Sequence, residues 1–169
     1  PGGGNDFAAR LLAPPLSSAI NQQVIVENRS SIGAIEAVAK SQPDGYTLLV
    51  ISLAHAVNPW LYKLKYDPIK SITPIALIGA GPNVLAVTPG LPVKSVKEFI
   101  AFARQRPGQL HYSSAGNGSA PHLTAELFKM KTGINLVHVP YKGAAPAMSD
   151  LLAGHVVLTF ATAPSGVPP

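Results

Sequence analysis

An α/β fold is predicted by three features of the chain. Short apolar runs such as Val24-Ile25-Val26 and Thr47 to Ser52 alternate with stretches whose apolar residues recur at helical spacing. Runs with no polar alternation are what a parallel sheet buried on both faces requires. Loops of Gly, Ser, Asn and Pro fall where strands end, which is where open α/β sheets place their ligands.

The first half reads as follows. Pro1-Gly-Gly-Gly-Asn-Asp6 is a loop and helix cap, with Asn5 or Asp6 capping a helix that starts at Phe7. Such a loop normally follows a strand. Pro14-Pro15 is expected to end that helix near Ala13 or to kink it sharply, since a mid-helix proline costs roughly 3 kcal/mol. Val24 to Val26 reads as a strand, Ile32 to Lys40 as a short helix, Pro43-Asp44-Gly45 as a turn and Thr47 to Ser52 as a second strand. Together these make a βαβ unit. The loop Ser52 to Asn58 leads into a short helix, Asn58 to Tyr62, and Pro74 to Ala80 and Val84 to Thr88 are two further strands.

Pro89-Gly90-Leu91-Pro92 is the strongest internal break, and it divides the chain into residues 1–88 and 89–169. Beyond it, Ser95 and Glu98 form a capping box over a helix with Val96, Phe99, Ile100 and Ala103 on its apolar face. Leu110 to Ser113 is a strand and Ser114 to Gly118 a loop of small residues. Ser119 caps a helix that carries Pro121 in its first turn, has Leu123, Leu127 and Met130 at helical spacing, and stops at Gly133. A strand, a small-residue loop and a helix N-terminus make an anion site, because first-turn amides point outward and the helix dipole favours negative charge. The same succession repeats with a strand at Leu136 to Val139, a loop at Pro140 to Gly143, a helix with Pro146 near its start and Gly154 after its end, and a last strand at Val156 to Phe160. Five loops thus lie at strand ends: residues 1–6, 52–58, 113–119, 140–143 and 161–165. Two α/β halves presenting them to one crevice is the layout of a two-domain binding cleft.

Composition narrows the chemistry. Apolar residues make up 47% of the 169 and charged residues 12%, enough for a packed core. The formal charge of +5 is spread without a basic run, which argues against nucleic-acid binding. The absence of Cys excludes disulfides, thiolate metal sites and Cys nucleophiles. No apolar stretch reaches membrane-spanning length. A Ser hydrolase would draw on Ser119 or Ser114 with His122 or His55, but there is no Gly-x-Ser-x-Gly elbow. The five histidines show no His-x-x-x-His pair for a metal, and the acidic residues are scattered singly. Gly116-Asn117-Gly118 lacks the following Gly-Lys-Ser/Thr of a phosphate loop. No catalytic group, metal or cofactor is expected.

A series of co-linear motifs carries a resemblance: Pro-Gly-Gly-Gly-Asn-Asp, Val-Glu-Asn-Arg, Pro-Asp-Gly-Tyr-Thr-Leu-Leu, His-Ala-Val-Asn-Pro-Trp-Leu-Tyr, Tyr-Asp-Pro-Ile-Lys, Ser-Ser-Ala-Gly-Asn-Gly-Ser and His-Val-Pro-Tyr-Lys-Gly-Ala-Ala-Pro-Ala. Over nearly its whole length the chain resembles the Bug family, the extracytoplasmic solute receptors of tripartite tricarboxylate transporters. The resemblance implies a type II periplasmic-binding-protein fold, two parallel-sheet lobes closing on a small carboxylate such as a dicarboxylate, amino acid or aromatic acid. It implies a periplasmic, monomeric receptor that hands its ligand to membrane permease subunits and catalyses nothing. An effector-sensing domain of similar fold is the alternative outside transport.

By the same resemblance, Gly2, Gly3 and Asp6 match the loop that holds a ligand carboxylate through amides and water, and Ser52 and His55 match a second loop of lobe one. Ser113, Ser114, Gly116, Asn117, Gly118, Ser119 and His122 match the anion loop of lobe two, and Tyr141, Lys142 and Gly143 its neighbour. None of these loops offers an Arg clamp, so capture would rest on amides and hydroxyls. Relatives begin with a signal peptide and a first strand and continue past the equivalent of Pro169, so the chain resembles the middle of a receptor: residues 1–88 as part of lobe one, residues 89–169 as most of lobe two. The glycine-rich segment is shortened to Ser30-Ser31-Ile32-Gly33. Ala161 stands where relatives carry an acidic residue, which changes that wall of the site for ligands bearing an amine.

Overall fold

A computed structural model describes residues 3–162. The chain divides into two compact units, Gly4–Ala80 and the residues from Gly81 onward, the latter together with the first three residues.

The first unit contains three helices, α1 (Gly4–Ile20), α2 (Ser31–Ala39) and α3 (Ala54–Leu61). No described residue of this unit lies in a strand, so the expected strands at 24–26, 47–52 and 74–80, and the βαβ unit built on them, are not formed. The reason is the lack of a backbone partner. Ile25 is 79% exposed and Leu77 87%, so these runs have neither a ladder nor a core to stabilise them. Helix α1 does not stop at Ala13 but carries Pro14 and Pro15 inside it. Two adjacent prolines remove donors from only one turn. The Ser17 hydroxyl then donates to the Ala13 carbonyl at 2.7 Å and that of Ser18 to the Pro14 carbonyl at 3.2 Å, before Asn21 turns the chain with φ 50°. Helix α3 begins four residues earlier than the expected Asn58, because Ala54 and Asn58, one turn apart, form its buried face.

The second unit holds β1 (Asn83–Val87), α4 (Val96–Arg104), β2 (Leu110–Ser114), α5 (Ala120–Thr132), β3 (Leu136–Pro140), α6 (Ala144–Leu152) and β4 (Leu158–Thr162). The sheet order is β1-β4-β2-β3. Strand β2 runs parallel to β3 and β4, whereas β1 is antiparallel to β4, with Asn83 opposite Thr162 and Val87 opposite Leu158. The sheet is therefore mixed rather than parallel throughout. Because β1 pairs with β4, the structural division falls between Ala80 and Gly81, and the Pro89–Pro92 turn lies inside the second unit.

The core of this unit packs Phe99 and Ala103 of α4 and Ala125 of α5 against Tyr112, Leu136 and Leu158 of the sheet. Ser95 caps α4, its Oγ accepting from the Glu98 amide at 3.2 Å, while Glu98 Oε2 reaches one residue past the cap to accept from the Lys94 amide at 2.7 Å, so the expected capping box forms on its serine side. In α5 the small Ala125 faces the sheet, and Phe128 packs beside it. Leu127 and Met130, two of the residues read at helical spacing, are exposed.

Candidate functional site

Strand β2 delivers the chain into the loop Ala115–Ser119, and α5 starts at its far side. Ser113 and Ser114 are fully buried at the end of β2. The Ser113 hydroxyl donates to the Ala147 carbonyl of α6 at 3.4 Å, and its own carbonyl accepts from Thr159 Oγ1 at 3.0 Å. Both serines are thus supports beneath the loop, with their hydroxyls turned into the protein. The Ser114 carbonyl accepts from the Tyr141 amide at 3.0 Å, which joins this loop to the one after β3.

The loop closes through its own backbone. The Gly116 amide donates to Ser114 Oγ at 3.1 Å, the Ser119 amide to the Gly116 carbonyl at 3.2 Å, and the Gly118 amide to His122 Nδ1 at 3.1 Å. Ser119 caps α5 by accepting from the His122 amide at 3.4 Å. Gly116 has φ 124°, and a Cβ there would sit 3.3 Å from the Tyr141 carbonyl oxygen, while Gly118 has φ 75°. Both positions call for glycine. The amides of Asn117 and Ala120 have no partner among the described residues, and the Asn117 side chain is exposed. They lie at the N-terminus of α5, where the dipole favours an anion.

Behind the loop stand residues that the sequence reading missed. His138 of β3 lies opposite Tyr112 of β2 in the register, and its Nε2 is 2.6 Å from Ser114 Oγ. The His138 ring stacks on Tyr112 at 4.8 Å and on His122 at 4.2 Å between centroids. Tyr112 donates to Glu126 at 2.6 Å, and Lys129 pairs with the same carboxylate oxygen at 2.7 Å. Burial, reinforced by the neighbouring His122, pushes His138 down to about 4. Burial also lowers His122, while burial and the bond to Glu126 raise Tyr112. For Glu126, burial pulls upward, but the bonds from Lys129 and Tyr112 hold it below its usual range. Both rings are therefore neutral at pH 7. The signal in the sequence is faint: Tyr112 and Ser114 share a strand face, and His122, Glu126 and Lys129 share a helix face, but His138 joins them only through the β2–β3 register.

At the neighbouring loop, the Tyr141 hydroxyl donates to Asp150 of α6, which pushes the phenol up to about 12 and lowers the carboxyl. Gly143 caps α6 with φ 120°, and Lys142 is exposed.

In the first unit, Asp6 Oδ1 accepts from Arg10 Nε and from Asn28 Nδ2, both at 2.9 Å, bracing α1 against the segment that follows it. Ser52 is exposed, and its carbonyl accepts from the His55 amide at 3.0 Å. His55 Nε2 lies 2.8 Å from the Pro68 carbonyl, which can only accept, so that nitrogen carries the proton. His55 Nδ1, Asn58 Nδ2 and the Tyr66 hydroxyl are buried without a partner among the described residues, and the His55 and Tyr66 rings stack at 6.3 Å. Gly3 has open space where a Cβ would project. Gly2 and residues 163–165 of the last loop lie outside the described residues, and Ala161 is buried within β4.

A serine and a histidine do meet in this structure, but as Ser114 and His138. That hydroxyl is buried and committed to the loop, and Ser119 Oγ meets the backbone of His122 rather than its ring. No group of three or more His, Cys, Asp or Glu able to hold a metal ion occurs among the described residues. No helix among them is long and apolar enough to cross a membrane.

The family described as "Tripartite tricarboxylate transporter family receptor" matches residues 8–169. The chain belongs to this family. Among curated relatives, the protein BugT of Bordetella pertussis is 36% identical over 171 residues, covering 98% of this chain and 52% of its own length. Among solved structures, Rpa4515 of R. palustris with adipate is 44% identical with TM-score 0.92, over 99% of this chain and 57% of that one. MatC of Rhodopseudomonas palustris with bound malate is 30% identical with TM-score 0.87, over 96% and 57%. The family's structures establish the α/β architecture as that of periplasmic solute-binding proteins. The chain spans about half the length of the curated relatives it matches.

Proposed function

We propose that this chain is the ligand-capturing part of a periplasmic receptor for a small dicarboxylate, serving permease subunits of a tripartite tricarboxylate-type transporter. The observation that carries the reading is the pair of unpartnered amides, Asn117 and Ala120, at the N-terminus of α5. One carboxylate sits over them, neutralised by amide dipoles rather than by an Arg. Tyr141, followed by Lys142 and Gly143, is tied to the same loop by its amide on the Ser114 carbonyl. Adipate and malate, bound by the two relatives above, set the ligand class to be tried first. No bond of the ligand is broken. The buried Ser114 offers no nucleophile, and the role is binding and release.

The test is calorimetric titration of the chain with adipate, malate and acetate, before and after Gly118→Val. A β-branched residue at φ 75° is strained by about 1–3 kcal/mol and displaces the amides on either side. Dicarboxylate binding is expected in the wild type and a loss of at least roughly tenfold in the variant, with circular dichroism unchanged. Equal affinity in the two would show that the loop is only a turn.

A further inference from the structure

The two stacked histidines do more than fill space. The Gly118 amide can only donate, so His122 Nδ1, 3.1 Å away, is unprotonated, and the neutral ring carries its proton on Nε2. Ser114 Oγ has three neighbours: the Gly116 amide at 3.1 Å, the Gly116 carbonyl at 3.2 Å and His138 Nε2 at 2.6 Å. A hydroxyl has one proton to give and two lone pairs to share. The amide takes one lone pair, and the carbonyl, which only accepts, takes the proton. His138 Nε2 must then donate to the remaining lone pair. The opposite tautomer would spend the hydroxyl proton on His138 and leave the carbonyl contact without a donor. One assignment therefore satisfies every contact, and it places the proton on Nε2 of both rings.

We infer that His122 and His138 are positioning residues of the anion loop: His122 holds the Gly118 amide, His138 holds the Ser114 hydroxyl that fixes Gly116, and the two clamps together leave the Asn117 and Ala120 amides facing outward. This rests on the reading of that loop as a carboxylate site and adds the device that shapes it. The clamps work without touching the ligand. They also couple, because the rings stack at 4.2 Å and a charge on one opposes a charge on the other. The groups facing the pair are Glu126 and Lys129 on α5 and Tyr112 on β2, with Glu126 favouring protonation and Lys129 opposing it. Protonated His122 would present a donor to the Gly118 donor. Acid is therefore expected to release the Gly118 end of the loop.

The test uses the 169-residue chain uniformly labelled with ¹⁵N, so that the histidine rings and the Gly118 amide are observed in one sample. Long-range proton–nitrogen correlations at neutral pH should show both rings with bare Nδ1 and protonated Nε2, and the Gly118 amide resonance should titrate together with His122. His122→Phe keeps a ring for the stack but removes the acceptor, and Gly118 amide exchange is expected to quicken roughly tenfold, the size of one lost hydrogen bond. His122→Asn, whose side-chain oxygen reaches the place of Nδ1, should restore protection to within about twofold. Adipate is the binding probe, and its affinity should follow the same order: wild type, then His122→Asn, then His122→Phe. If the wild type binds neither adipate nor malate, the carboxylate reading fails, and the clamp is judged on the tautomers and on amide exchange alone. A protonated Nδ1 on His122 in the wild type, or unchanged Gly118 exchange in His122→Phe, overturns the inference. The tautomer result decides it even if the Phe variant does not fold.

Discussion

Val24-Ile25-Val26 and Leu110-His-Tyr-Ser-Ser114 invert what composition would suggest. The first is wholly apolar and β-branched, yet it joins no strand ladder among the described residues, its Val24 amide goes to Ser17 Oγ at 2.9 Å, and Ile25 is 79% exposed. The second has one aliphatic residue and is a central strand, hydrogen-bonded on both sides by β3 and β4 with Tyr112, Ser113 and Ser114 fully buried. The two units of the chain differ in the same way. Residues 81–162 bring four strands into register and close a core on Phe99, Tyr112 and Leu158. Residues 4–80 carry apolar runs of equal length, and Ile35, Ala54 and Asn58 are the residues buried among those described there. Strand formation is thus a property of pairs. The residue preference expresses a fit to a pleated, half-buried surface that must already exist.

The largest test of this difference is a matched pair of truncations. Phe99→Ala should destabilise the sheet unit by about 3–5 kcal/mol, the usual cost of an aromatic removed from a closed core. Ile25→Ala in the first unit should cost no more than about 0.5 kcal/mol, because there is no packing to lose. Urea melts read by amide exchange, unit by unit, separate the two. A large effect of Ile25→Ala would mean that the first unit has a core of its own.

Next in size are the prolines of α1. Replacing Pro14 or Pro15 with Ala restores a helical donor and removes a ring clash, worth about 2–3 kcal/mol of helix stability at each position. No residue of α1 is buried, so the gain should appear directly as added helicity in circular dichroism. Unchanged helicity would mean that α1 carries the two missing donors at little cost.

A smaller effect belongs to the sheet unit and depends on pH. His138 is lowered in the fold from 6.5 to about 4, so the unfolded chain binds the proton first as pH falls. Stability is full above about 6.5, declines through the interval between those two values and levels off below about 4. Because solvent reaches part of the ring, the loss is on the order of 1–2 kcal/mol, less than the whole shift implies. His138→Gln, which keeps a donor near Nε2, should flatten the slope, and thermal melts from pH 7 to pH 4 measure it. A slope unaltered by the substitution would place the acid sensitivity elsewhere.

Much of the second unit was legible because its signals are local. The Ser95 cap, the Ser119 cap and the Gly133 stop each involve neighbours within one turn of helix, and each formed as read. The β2–α5 loop was legible for the same reason. Its supports were not, because His138 reaches Ser114 across a strand pair and Tyr112 reaches Glu126 across a layer. Nothing in the spacing of residues 112, 126 and 138 fixes that register. The reversal of β1 was also hidden, since its four apolar residues, Val84 to Val87, look alike in either direction. In the first half, reading apolar runs as strands assumed partners that the described residues do not supply. The break at Pro89–Pro92 looked like a boundary because turn chemistry is the same within a unit as between units.

The most direct measurement of the central claim is a titration of the ¹⁵N-labelled chain with adipate, followed amide by amide. If backbone amides at the start of α5 capture a carboxylate, the Asn117 and Ala120 resonances should move furthest. Gly116, Gly118 and the His138 side chain should follow as the loop settles, and the strand amides of Leu158 and Phe160 should stay still. Movement centred elsewhere, or none at saturating adipate, would contradict the assignment of this loop as the anion site.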